Sequence, residues 1–193
     1  MIKILKFPIL MALILCSPLF YAEGNHKIFN LGDFDLESGV TLPNAKLSYV
    51  THGKLNKEKD NLIVVPSAYL GDHHGFDFLI EPGKALDPEK YFIVATDMFQ
   101  NGLSSSPSNT LPPFDGPNFP LISIRDNVKA GYKLVTEIFK VKKIKGVVGF
   151  SMGAQQAFQW AVSYPDFVEK IVGIAGSAVE LSLIHISEPT RLR

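Results

Sequence analysis

The residues of this sequence whose types and spacing could do chemistry are Gly149-Phe150-Ser151-Met152-Gly153. A serine hydroxyl is a weak nucleophile until the backbone presents it and a base takes its proton. A G-x-S-x-G segment between a strand and a helix provides the presentation: the turn is sharp, the serine is strained with Oγ exposed, and the glycines let strand and helix approach closely. The N–H of the next residue, here Met152, opens the helix and can stabilise the oxyanion of a tetrahedral intermediate. Chance supplies such a match with a probability of roughly 0.07 in a chain of this size, so the flanking sequence decides. Lys145 to Phe150 (KGVVGF) is an apolar run of strand length. A helical pattern follows at once, with Ala154, Ala157/Phe158 and Ala161 on one face and Pro165 as its stop. The competing reading is an ordinary strand-to-helix turn in which Ser151 caps the helix.

A second oxyanion donor should come from the loop after an earlier strand. That loop is Pro66-Ser67-Ala68-Tyr69-Leu70-Gly71-Asp72-His73-His74. The backbone N–H of Ala68 or Tyr69 is best placed, with Tyr69 preferred. Asp72, His73 and His74 read as a polar cleft rim. Adjacent side chains in a strand-like stretch point to opposite sides, and no further ligands stand at metal-site spacing. Neither a metal nor a cofactor is expected.

These residues need elements to position them. Ala45 to Thr51 alternates as a half-exposed strand does. Leu62 to Pro66, Tyr91 to Thr96, Lys145 to Phe150 and Ile171 to Ala175 are continuous apolar runs, expected of parallel strands covered on both faces. Ser123-Ile124-Arg125-Asp126 opens a helix with a capping box, and Val128, Gly131/Tyr132, Val135 and Ile138/Phe139 follow at helical spacing. Strands alternating with helices predict an α/β fold with a mainly parallel sheet and helices on both faces. Asn101 to Pro120, rich in Ser, Pro, Asn and Gly, predicts a long ordered loop over one edge of a cleft.

The whole chain has 193 residues, 46% hydrophobic and 20% charged, with 19 basic and 19 acidic side chains. That composition excludes disorder, collagen and coiled coil. A formal charge of zero gives no global attraction to nucleic acid or anionic membrane. The single cysteine, Cys16, excludes an intramolecular disulfide framework.

The ends differ from the middle. Lys3 and Lys6 precede the apolar run Phe7 to Leu15, and Tyr21-Ala22 is a plausible cleavage point, so residues 1–22 are expected to be a signal peptide and the mature protein to be exported. An uncleaved membrane anchor is the alternative, although the run is short of the ~20 residues of a span. Leu181 to Arg191 resembles the translation of a transposase adapter used in sequencing-library preparation. Residues 181–193 are therefore expected to be a non-native tail, and residues 23–180 the N-terminal part of one domain, cut after the strand that follows the nucleophile helix.

Four stretches carry a resemblance: LSYVTHGKLN at Leu47 to Asn56, ALDPEKYFIVATDMFQNGLSSSPSN at Ala85 to Asn109, ISIRDNVKAGYKLV at Ile122 to Val135, and GFSMGAQQAFQWAVSYPDFV at Gly149 to Val168. The chain resembles the homoserine O-acyltransferase-like family of α/β-hydrolases. The resemblance implies a Ser-His-Asp triad with Ser151 as nucleophile and ping-pong acyl transfer through an acyl-serine. On that fold the acid and the histidine follow the serine in the chain, so both are expected beyond Glu180. Asp166 stands too soon after the elbow to be the acid, and His185 falls in the suspected tail. Two departures stand out: Gly153-Ala154 replaces a Gly-Gly common in biosynthetic members, and the oxyanion loop lacks the family's His-Ala-Leu-Thr-Gly.

Acyl transfer from a thioester to a small hydroxyl acceptor is therefore the first expectation. Hydrolysis of a small ester by an exported enzyme is the alternative, and the two differ in whether water is kept from the acyl-serine. A non-catalytic binding protein that lost the triad is a third reading, separable by whether the acid and histidine exist. The expected partners are a small-molecule acyl donor and acceptor, or an ester, with no nucleic acid and no stable membrane span after signal cleavage. The oligomeric state is left open by the sequence.

Overall fold

The computed structural model describes residues 26–178. The expected signal peptide, residues 1–22, and the expected tail, residues 181–193, lie outside the described residues.

The strands are β1 (Lys27–Asp35), β2 (Thr41–His52), β3 (Leu62–Pro66), β4 (Phe92–Thr96), β5 (Gly146–Phe150) and β6 (Ile171–Ile174). The α-helices are α1 (Ile124–Lys133) and α2 (Met152–Ser163). The strands form one sheet in the order β1-β2-β4-β3-β5-β6. The pairs β4/β3, β3/β5 and β5/β6 are parallel, whereas β1/β2 and β2/β4 are antiparallel. The apolar runs form the parallel block, as their two-sided hydrophobicity requires: every residue of β3 and β4 is buried.

Strand alternation sorts these residues into two cores. Leu62, Val64, Phe92, Val94 and Val147 face the larger one, where Val128 and Ala130 of α1 meet Ala157 and Trp160 of α2. Ile63, Val65, Ile93 and Ala95 face the smaller one, covered by Phe76, Ile80 and Leu86. Ser123 caps α1 as its sequence predicts. Its Oγ accepts from the N–H of Asp126 at 3.1 Å, and the Asp126 carboxylate accepts from the N–H of Ser123 at 2.8 Å. The helix continues as a π-helical turn, Leu134–Ile138.

β1 was not anticipated, and the reason is local. Phe29 and Leu31 alternate inward, but Gly32 adopts φ 66° and the register shifts on either side of it, so the next buried residue is Phe34. A bulge breaks the period of two on which strand recognition depends.

The expected loop from Asn101 to Pro120 is ordered by its serines. Beyond the stretch where β2 pairs with β4, the N–H of Ser48 donates to Ser104 Oγ and the N–H of Lys46 to Ser105 Oγ, each at 2.9 Å. Ser104, Ser105 and Ser106 are all buried. The loop thus satisfies main-chain donors that a strand would otherwise have to meet.

Candidate active site

Ser151 stands alone between β5 and α2, with φ 51° and ψ −117°. A non-glycine residue held there costs ~1–3 kcal/mol, and such strain collects at functional sites. Hydrogen bonds on both sides hold it. Its N–H donates to the carbonyl of Ile174 at 2.9 Å, and its carbonyl accepts from Ala154 at 3.0 Å and Gln155 at 3.2 Å. Its side chain makes no capping hydrogen bond, which removes the helix-cap explanation for the serine. The glycines serve close approach. A Cβ on Gly149 would overlap the backbone of Gly153 and Ala154, and one on Gly153 would lie 2.7 Å from the carbonyl oxygen of Pro66.

Met152 is the first residue of α2, where main-chain N–H groups have no partner within the helix. Met152 and Tyr69 line the same cavity of about 620 Å³, together with Met98, Leu103, Ile122 and Asn127. Ala68 lines a neighbouring cavity of about 450 Å³, with Phe150 and Ile174. Tyr69 and Met152, the residues expected to donate, therefore border one space, and Ala68 borders the other. Phe150 and Met152, the chain neighbours of Ser151, border different cavities.

The loop after β3 is anchored at Ser67. The N–H of Ser67 donates to Thr96 O at 2.9 Å, its Oγ accepts from the N–H of Met98 at 2.9 Å, and its carbonyl accepts from Gln156 Nε2 at 3.0 Å.

The polar-rim reading of Asp72, His73 and His74 needs correction at His73 alone, since Asp72 is partly exposed and borders both cavities. His73 is buried, with Nδ1 2.8 Å from Asp97 Oδ2. The stretch is a turn and not strand-like, so the two adjacent imidazoles do not diverge; their centroids are 4.3 Å apart. His74, like Asp72, remains partly exposed; it lies 2.6 Å from Asp77 Oδ2, and the hydrogen bond to that carboxylate holds it above the usual histidine range. Burial moves the nearby His52 the other way. Among the described residues, no three His, Cys, Asp or Glu side chains are grouped to hold a metal ion. No helix among them is long and apolar enough to cross a membrane. His185 and the segment beyond Glu180, where the acid and histidine are expected, lie outside the described residues.

A family profile for the alpha/beta hydrolase fold matches residues 61–191. The chain belongs to the α/β-hydrolase fold family. The chain is 44% identical over 163 residues to an ethyl acetate hydrolase of Pseudomonas veronii, covering 82% of this chain and 47% of that protein. It is 39% identical over 165 residues to a homoserine O-acetyltransferase of Methanococcoides burtonii, covering 77% of this chain and 34% of that one. The solved structure of the acetyl esterase MekB superposes with a TM-score of 0.82 at 42% identity, over 84% of this chain and 48% of that chain. The chain thus spans about half the length, or less, of the relatives it matches. These likenesses show an α/β-hydrolase related to esterases and acetyltransferases alike.

The sequence reading of this α/β-hydrolase passed over Asp97. It follows the last residue of β4 and is fully buried. The signal was present, since polar residues just past the carboxyl ends of parallel strands are where open α/β sheets place functional groups.

Proposed function

We propose that the protein is a serine esterase of short-chain esters, with Ser151 as nucleophile. The observation that carries this is the strained backbone of Ser151, at the turn between β5 and α2, with a side chain that caps nothing. Hydrolysis is preferred to transfer because the ethyl acetate hydrolase and the acetyl esterase, at 44% and 42% identity, are nearer than the homoserine O-acetyltransferase at 39%.

In this reading Ser151 Oγ attacks the ester carbonyl and yields its proton to a histidine base expected beyond Glu180. The N–H groups of Met152 and Tyr69 receive the developing oxyanion, an interaction made in full only in the transition state. Collapse breaks the bond to the alkoxide, which leaves as the alcohol with that proton. Water then attacks the acyl-serine as the base accepts its proton, and collapse releases the carboxylic acid while that proton returns to Ser151 Oγ. Acyl transfer would replace water by a hydroxyl acceptor in the last step. The apolar run behind Lys3 and Lys6 supports an exported enzyme; an N-terminal sequence from the native host that retains residues 1–20 would rule out cleavage.

The experiment is product partition by the complete gene product. Given an acetyl ester in water with homoserine present, it should release acetate and leave homoserine unmodified. Acetylhomoserine accumulating faster than acetate would replace hydrolysis by transfer.

A further inference from the structure

Asp97 has no exposed surface, and its carboxylate gathers four donors from three separate parts of the chain. Oδ1 accepts from the N–H of His73 at 2.8 Å and from Asn101 Nδ2 at 3.1 Å. Oδ2 accepts from Ser48 Oγ at 2.6 Å and lies 2.8 Å from His73 Nδ1. A carboxylate offers about four acceptor sites, so in the tautomer that carries its hydrogen on Nδ1 the ring contact completes the set and the group is filled.

Two of the four donors belong to one residue. His73 is gripped through its backbone and its ring, which fixes both its position and its orientation. It stands at the far end of the segment that begins at Ser67, whose own three hydrogen bonds fix the near end. Between these anchors lie Tyr69, 67% exposed, and Leu70, 90% exposed with φ 59°. The main-chain bond from Gly71 N–H to Ala68 O, at 3.0 Å, closes the intervening turn. The place of the Tyr69 N–H is therefore set by the two ends of the loop. A buried carboxylate is an expensive way to hold a loop, since an apolar pair of similar volume often serves stability as well or better. A filled carboxylate does supply direction, which an oxyanion donor needs.

We infer that Asp97 and His73 are positioning residues for the reaction, acting through the loop to aim the Tyr69 N–H at the oxyanion. This rests on the serine esterase reading above. Their effect belongs to the transition state, so it falls on kcat and spares KM.

The test compares His73→Leu, His73→Asn and Asp97→Asn in the complete gene product, with rates expressed per active site titrated by a fluorophosphonate. Asparagine keeps an N–H donor near the place of Nδ1, whereas leucine keeps only bulk. His73→Leu and Asp97→Asn should lower kcat by about 10–100-fold, the scale of a misplaced reacting group, with KM nearly unchanged. His73→Asn should recover most of that loss. Affinity for a boronic acid, a tetrahedral mimic, should fall in step with kcat/KM. Wild-type kcat per titrated site in His73→Leu overturns the inference, as does His73→Asn performing no better than His73→Leu. Should His73→Leu fail to fold, wild-type kcat in Asp97→Asn overturns it equally. Ser151→Ala separates the two levels. Labelling that persists there refutes the esterase reading, whereas labelling that vanishes while the position-73 variants keep full kcat refutes only the positioning role.

Discussion

The main-chain N–H of Ser151 donates to the carbonyl of Ile174 at 2.9 Å, so the sharp turn after β5 is tied to the end of β6. The turn also requires α2 to lie against the end of β3, where Gly153 meets Pro66. Gly153→Ala places a Cβ 2.7 Å from the Pro66 carbonyl oxygen, a contact that only backbone movement can relieve. The expected result is a loss of ~1–3 kcal/mol by chemical denaturation. Val162→Ala, at an exposed site on the same helix, should change stability by no more than ~0.5 kcal/mol. Equal stability of the two variants would contradict the close-approach account.

The histidines near the loop should titrate in opposite directions. Burial holds His52 below its ordinary value of 6.5; Asp77 opposes that shift, and His73 and His74 add to it. The hydrogen bond to Asp77 holds His74 above 6.5. Residue-resolved NMR should find His52 losing its proton below 6.5 and His74 above it; the reverse order would contradict the packing of this corner.

Opposite signs in stability follow by linkage. Because the folded value of His52 is depressed, the unfolded chain takes up its proton first as pH falls. Stability is then lost between 6.5 and the lower folded value, and His52→Gln should lessen that acid loss. For His74 the folded value is raised, so its contribution is full below 6.5 and lost as pH rises through the folded value. That exposed pair is worth only ~0–1 kcal/mol. An acid loss as steep in His52→Gln as in the wild type would contradict the assignment.

The start of α1 offers a graded comparison. Ser123→Ala removes one cap bond and should cost ~1 kcal/mol. Asp126 also accepts from the N–H of Glu37 at 2.8 Å, so Asp126→Ala unpairs donors in two segments and should cost more, ~1–3 kcal/mol. Equal losses measured by denaturation would show that the Glu37 contact contributes nothing.

What the sequence disclosed and what it hid follow from the range of each interaction. The parallel strands, the cap at Ser123 and the turn at Ser151 are written in residues a few positions apart, and each was legible. Tyr69 and Met152 could be chosen because one motif predicts both the turn and the loop that faces it. The Asp97 carboxylate was not legible as a hub, since its donors Ser48, His73 and Asn101 are brought to it from β2 and two loops only by the completed sheet. β1 escaped because the bulge at Gly32 hides its alternation.

Trapping the acyl-enzyme tests the central claim most directly. The complete gene product is mixed with an activated acetyl ester, quenched in acid within the first turnover, digested and read by mass spectrometry. One acetyl group is expected on the peptide that contains Ser151, absent from Ser151→Ala, whose turnover should fall by several orders of magnitude. An acetyl group on another residue, or a Ser151→Ala protein that turns over at the wild-type rate, would contradict it.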